Sequence, residues 1–445
     1  MKYIKILLGA LFITACSTDL DQSPSNLASA DSLTDFEGVL NAAYYYQLGG
    51  VTPLAVMAEF RSDNALMFEA PYTEFDAYTS NLTTMEDQFF GPLYTAMYKS
   101  ILSANNVIEN SSDAGQVAEA KFLRALSYFK LVRSFGAVTI NTSAAPSLTD
   151  TSILVRKPAS EVYSTVIIPD LTDAIAGLST SIVDGRASRI AAQALLGKAY
   201  AAQGDYTNAA SHLGAVVNGA AGAGISLKSN YNEIFGAANE SGNSEIIYAT
   251  RITGSIVDEY SFGSDFWNWF VGDDSKSDLP VDADLVAAFD ASDANGGGTD
   301  LRRAVTLSAD GRTAVKFPKD GGLGTEHDWI EIRLADVILL YAEALNENGS
   351  SAASVLPLLD PIRTRAGLSS LSGTASTQSE VRQAIANERR LELAFEGHRW
   401  FDLVRTGFVG AASGFAPSSA NYHVFPIPVS EVLSTGGVIT QNAGY

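Results

Sequence analysis

Phe262, Phe266, Trp267, Trp269 and Phe270 crowd five rings into nine residues, beside Asp265, Asn268, Asp273 and Asp274. Sugars are held by stacking their C–H faces on aromatic planes while amides and carboxylates take the hydroxyls. Residues of these types fit a glycan surface, with Trp267 and Trp269 as platforms and Phe266 and Asn268 beside them. The same composition suits an aromatic knot buried under a loop, because tryptophan is highly buried on average. A second mixture, Arg61, Asp63 and Asn64 followed by Met67, Phe68, Tyr72, Phe75 and Tyr78, alternates hydrogen-bonding groups with rings as a sugar surface would. Its plainer reading is a helix end with core aromatics.

Other chemistry finds little support. His212, His327, His398 and His423 are far apart, with no H-E-x-x-H and no metal-ligand spacing. No G-x-S-x-G elbow or phosphate-cradling glycine loop occurs. Glycosidases need two carboxylates across the scissile bond, and among 50 acids some pair always exists by chance. Glu388, Glu392 and Glu396 share a helical face, but their arginine neighbours read as ion-pair partners. Asp290 to Gly296 fails the EF-hand template, since Gly296 at the sixth position puts Ala291 at the first ligand position, and reads as a solvated turn. No catalytic residue, metal or cofactor is expected. A formal charge of −21 argues against nucleic acid, which needs a basic face, and against holding to anionic lipid by charge. Solubility accounts for so much acid.

The elements that must carry these residues read as mainly α. Ala194 to Tyr200, then Gly204-Asp205-Tyr206, Ala209 and Leu213, sets large and small residues at tetratricopeptide offsets, with Gly204-Asp205 as the turn. Weaker helix pairs are predicted at Met85–Leu131, Val155–Leu178 and Ile332–Arg365, the last turning at Asn346 to Gly349. One repeat cannot bury its own face, so the pairs should stack into a scaffold. Gly49–Asn81 and Gly214–Gly324 sustain no helical period and read as long loops with short strands, the usual place for function.

Residues 387–407 read as one helix, pairing Arg389 with Glu392, Glu396 with Arg399, Arg399 with Asp402 and Asp402 with Arg405 at i,i+3. In the same stretch Glu388, Arg389, Glu392, Leu393, Glu396, Gly397, Arg399, Asp402, Leu403 and Arg405 fall into register with E-R-x-x-E-L-x-x-E-G-x-R-x-x-D-L-x-R. That pattern resembles the C-terminal signature of the SusD/RagB family of surface glycan-binding lipoproteins. Ala118–Phe129 running to Phe135-Gly136, Asp300-Leu301-Arg302, Ile332–Asp336 continuing to Tyr341–Ala344, and Phe425-Pro426-Ile427-Pro428 through Gln441–Tyr445 agree with it. The resemblance implies a SusD-like fold whose irregular segments carry the ligand surface, and a SusC-like TonB-dependent barrel as partner.

Lys2 and Lys5, the apolar run Ile6–Ile13 and Thr14-Ala15 precede Cys16, the only cysteine, in the layout of a secretory signal. Leu11 to Cys16 resembles a bacterial lipobox, in which the cysteine is lipidated. The run is too short for a membrane-spanning helix of ~20 residues. Ser17 to Ala30 is polar and should be a leash. Asp19 and Asp21 resemble the surface-export signal of Bacteroidetes lipoproteins. Removing residues 1–15, with two lysines and no acid, takes the charge from −21 to −23.

The expected organisation is a signal peptide at 1–15, a tether at 16–30, an N-terminal part at 31–215, and a C-terminal part at 216–445 with a loop-rich insertion at 216–325. The expected protein is anchored to the outer membrane through Cys16, faces the cell exterior and binds glycan. The glycan surface draws on Trp267, Trp269, Phe266, Asn268, Asp63, Asn64, Arg61, Tyr72 and Tyr78. The alternatives are a tetratricopeptide-type scaffold for peptides or proteins, and a glycoside hydrolase.

Overall fold

A computed structural model describes residues 36–78, 80–147, 149–252, 266–272, 275–317, 327–409 and 420–445. Helices α1 (Glu37–Tyr45) and α2 (Val51–Phe60) lead into the long pair α3 (Gly91–Asn110) and α4 (Ala114–Phe135). Then come α5 (Ile168–Gly177), α6 (Arg189–Ala202), α7 (Tyr206–Gly219), α8 (Ala283–Gly296), α9 (Leu334–Glu347), α10 (Gln378–Glu392) and α11 (Arg399–Thr406). Each helix from α3 to α7 packs on the next, α7 packs on α9 and α9 on α10, so one stack runs through most of the chain. The protein is mainly α with the tetratricopeptide-like scaffold that the small-residue spacing predicts.

Local chemistry explains the boundaries. Asp113, Ser188 and Asp205 accept hydrogen bonds from backbone N–H groups in the first turns of α4, α6 and α7, and Thr377 with Glu380 forms a capping box on α10. Gly204, at φ +74°, makes the turn between α6 and α7. Gly197 lets those helices touch, because a Cβ there would lie 2.6 Å from Leu213 Cγ. Gly177 does the same for α5 against α4, where a Cβ would stand 2.7 Å from that of Ala118.

Two small antiparallel ladders edge the stack. β1 (Val138–Thr139) pairs with β2 (Arg156–Lys157), and β3 (Ile246–Thr250) pairs with β4 (Trp329–Arg333), which runs straight into α9. The C-terminal segment closes back on the end of α4. Asn442 Nδ2 donates to the carbonyls of Phe135 and Phe425, Gln441 brackets Ile427 on both sides, and the Phe425 N–H donates to Ser134 O.

Several expectations fail for identifiable reasons. The 387–407 stretch is two helices, broken where Phe395 and Gly397 take φ of +64° and +73°. Of its four proposed pairs only Asp402 with Arg405 forms. Gly49–Asn81 contains α2, buried along its whole length. Its residues are almost uniformly apolar, so no helical period shows. Asp290–Gly296 is the last two turns of α8, not a solvated turn; Asp293 there accepts the Asp300 N–H. After Gly349 the predicted partner of α9 is split into short helical pieces around Pro357 and Pro361.

Candidate functional site

Five cations and five carboxylates meet where β4 enters α9. Arg333 donates to Glu396 at 2.6 and 2.8 Å, to Glu392 at 2.7 Å and to Glu245 at 2.9 Å. Arg302 reaches Asp300, Glu388 and Glu392; Arg363 reaches Glu388; Arg365 bridges Glu245 and Glu392; Lys316 pairs with Glu396. All ten side chains are buried. Burial alone would push Glu392 and Glu396 up, but Arg365, Arg333 and Arg302 hold Glu392, and Arg333 and Lys316 hold Glu396, below the usual carboxylate range. Burial brings Lys316 down to about 8 in spite of Glu396. With every charge matched inside, this is a structural lock with no nucleophile or base left free.

The aromatic candidates divide. Phe266 is fully buried between Phe317 and Trp329, at 4.9 and 5.0 Å between ring centroids. Trp267 is 8 % exposed and Trp269 7 %, so neither offers a free ring face as a platform. Their 3₁₀ turn at 266–269 tucks the rings onto the helical scaffold, as the knot reading has it. Trp269 meets Tyr72 and Phe89 edge-on at 5.5 and 5.4 Å, with Lys276 Nζ 5.2 Å from its centroid. Asn268 and Tyr72 are half-buried, the Tyr72 hydroxyl donates to Gln88 Oε1, and Phe68 is 61 % exposed. Tyr72, Gln88, Asn268 and Lys276 therefore form an accessible rim beside Trp269, and Phe68 stands exposed four residues before Tyr72. Phe262, Asp265, Asp273 and Asp274 lie outside the described residues, as does Cys16.

The polar candidates are structural. Arg61 is fully buried over the Tyr78 ring, donates to Phe75 O at 2.5 Å, and sits where burial lowers its pKa. The buried Tyr78 hydroxyl donates to Arg61 O. Asp63 is clamped by Arg399 at 2.6 and 2.8 Å; burial opposes its charge, and Arg399 and Arg390 keep it below the usual carboxylate range. Asn64 spans Glu59 and Arg390. These groups are consumed inside the fold, because each faces a partner more than 300 residues away or the core itself.

Elsewhere, a cavity of about 480 Å³ lies over Tyr94, Tyr98 and Leu102. Sequence reasoning passed over it, although those residues recur at i, i+4 and i+8 on one face of α3. Among the described residues no group of three or more His, Cys, Asp or Glu side chains is placed to hold a metal, and no helix is long and apolar enough to cross a membrane.

The SusD family model matches residues 293–445, and a second model, described as starch-binding associating with outer membrane, matches residues 18–201. The chain belongs to the SusD/RagB family. A SusD-like protein of Formosa agariphila is 26 % identical over the full length of both chains. The starch-binding protein SusD of Bacteroides thetaiotaomicron is 25 % identical over 78 % of this chain and 76 % of its own. Among solved structures, a laminarin-binding SusD-like protein superposes with a TM-score of 0.73 and 29 % identity, covering 93 % of this chain and 99 % of that one. The residues that carry the SusD/RagB signature are the ones in the buried lock and the C-terminal closure, which explains why they stand out in sequence while the ligand surface does not.

Proposed function

We propose that this protein captures glycan at the outer surface of the outer membrane, held there by a lipid on Cys16, and passes it unchanged to a SusC-like TonB-dependent transporter. The observation that carries the reading is the SusD/RagB scaffold itself, matched over 93 % of the chain by a laminarin-binding relative. The rim of Tyr72, Gln88, Asn268 and Lys276 beside Trp269, with exposed Phe68 four residues before Tyr72 in the chain, supports it with an aromatic ring, amides and an ammonium at one accessible place. On that surface Tyr72 and Asn268 face the ligand, Trp267, Trp269 and Phe266 support it from below, and Arg61, Asp63, Asn64 and Tyr78 position the segment.

A glycan array followed by titration calorimetry on laminarin and starch oligosaccharides tests the reading. Binding that Phe68→Ala and Tyr72→Ala weaken supports it; no binding to any glycan, with capture of peptides instead, favours the scaffold alternative. Release of reducing sugar by protein purified from two hosts would replace a binding role with hydrolysis. Membrane fractionation of Cys16→Ala tests the anchor, and co-purification with a co-encoded transporter tests the partner.

A further inference from the structure

Arg133, near the end of α4, is a guanidinium packed against two rings with its terminal nitrogens unused. Phe129 lies 4.1 Å and Phe401 4.4 Å from its Cζ, measured to the ring centroids. Among the described residues its only hydrogen bond is a long one from Nε to Phe129 O, and no carboxylate lies within ion-pair distance. A guanidinium bonds in its own plane, and among the described residues its two terminal nitrogens have no hydrogen-bond partner there.

The charges around it confirm the deficit. Lys130 pairs with Glu331, Lys198 with Asp336, Arg389 with Asp336 and Asp402, and Arg405 with Asp402 and Glu343. With Arg133 that makes five cations against four carboxylates. His398 in the same region is held neutral near pH 7, since burial brings it down to about 3. One positive charge is left over in a protein of formal charge −21.

Arg133 also lines a cavity of about 260 Å³ between α4, α6 and α11. Val132, Ala201 and Leu340 give it apolar walls, Tyr163 lies beside the guanidinium, and half-exposed Ala159, Ala202 and Val404 set its mouth. The volume falls just below the roughly 300–1,000 Å³ of sites for drug-sized ligands, so a molecule of about one ring fits. We infer that this cavity binds a small organic monocarboxylate, its acid group bidentate on the edge of Arg133 and its non-polar body on the walls. A planar carboxylate matches that fork in geometry and charge. The site is separate from the rim beside Trp269 and does not depend on the glycan reading.

Benzoate and its neutral isostere benzamide separate charge from shape. At millimolar concentration, benzoate should raise the melting temperature of the full chain and show saturation-transfer NMR contacts, and benzamide should do neither. Arg133→Gln should weaken benzoate at least about tenfold by removing the charged fork. Ala202→Leu should do the same by filling the mouth, with the charge intact, and it carries the test alone if Arg133→Gln does not fold. Equal response to benzoate and benzamide, no response to benzoate, or a benzoate response that survives Ala202→Leu overturns the inference. In that event a single water in the adjoining cavity of about 30 Å³, which Arg133 also lines, is what satisfies the guanidinium.

Discussion

Arg333→Met should be among the most damaging single changes outside any ligand surface. Arg333 is 1 % exposed and gives five hydrogen bonds, to Glu245, to Glu392 through side chain and carbonyl, and twice to Glu396. Methionine fills most of the volume, so the cost is electrostatic: five buried carboxylates face four cations. Breaking a buried pair from one side costs about 3–5 kcal/mol, a large part of the ~5–15 kcal/mol that holds a typical protein folded. Urea unfolding followed by circular dichroism should show a lower midpoint with an unchanged slope, because the surface exposed on unfolding is the same. Pairing the change with Glu396→Gln restores four against four, and the double variant should cost less than the sum of the singles by about 1–3 kcal/mol. Glycan affinity of the folded fraction should stay at wild type. Strict additivity, or a loss under about 1 kcal/mol for Arg333→Met, refutes the view of the cluster as a charge-balanced lock.

Phe68→Ala and Tyr72→Ala should each weaken glycan affinity by about 1–3 kcal/mol in calorimetry without moving the melting temperature, whereas Trp267→Ala should cost about 3–5 kcal/mol of stability. Burial holds the His398 pKa near 3 against an ordinary 6.5, despite Asp336, so the folded state binds fewer protons than the unfolded one and stability falls as pH drops through that window. His398→Leu should therefore remove about 2 kcal/mol of the loss between pH 6.5 and about 4.5, read as a smaller shift in urea midpoint than wild type shows. Gly197→Ala should destabilise by about 1–3 kcal/mol, because its methyl meets Leu213; an unchanged melting temperature would mean that α6 and α7 can slide apart.

The scaffold was legible because it rests on short-range rules. Gly197, Gly204 and Leu213 announce two helices in contact, and Asp205 announces where the second begins. The signature charges were legible as important but not as to partner. Glu392 looked like the mate of Arg389 one turn away, yet pairs with Arg302, Arg333 and Arg365, because positive φ at Phe395 and Gly397 turns the chain before the ladder can continue. The ligand surface was least legible. Trp267 and Phe68 are both large apolar residues in loop-like sequence, and only the fold decides that the first is 8 % exposed and the second 61 %. Arg61 and Asp63 misled for the opposite reason, since polar side chains in a loop look solvated until distant partners such as Tyr422 and Arg399 close over them.

The closure of the C-terminal segment over α4 sets an order of events. Asn442 must find the Phe135 carbonyl across 307 residues, and Phe425 must dock on Ser134. During synthesis the early helices can gather while the chain is still being made, but the edge near Phe135 and Val138 stays open to water and to other chains until residues 425–442 are available. The vulnerable species is thus a molecule whose helices are packed but whose seam is unsealed, and a factor that shields that seam during folding would raise yield without altering the finished protein.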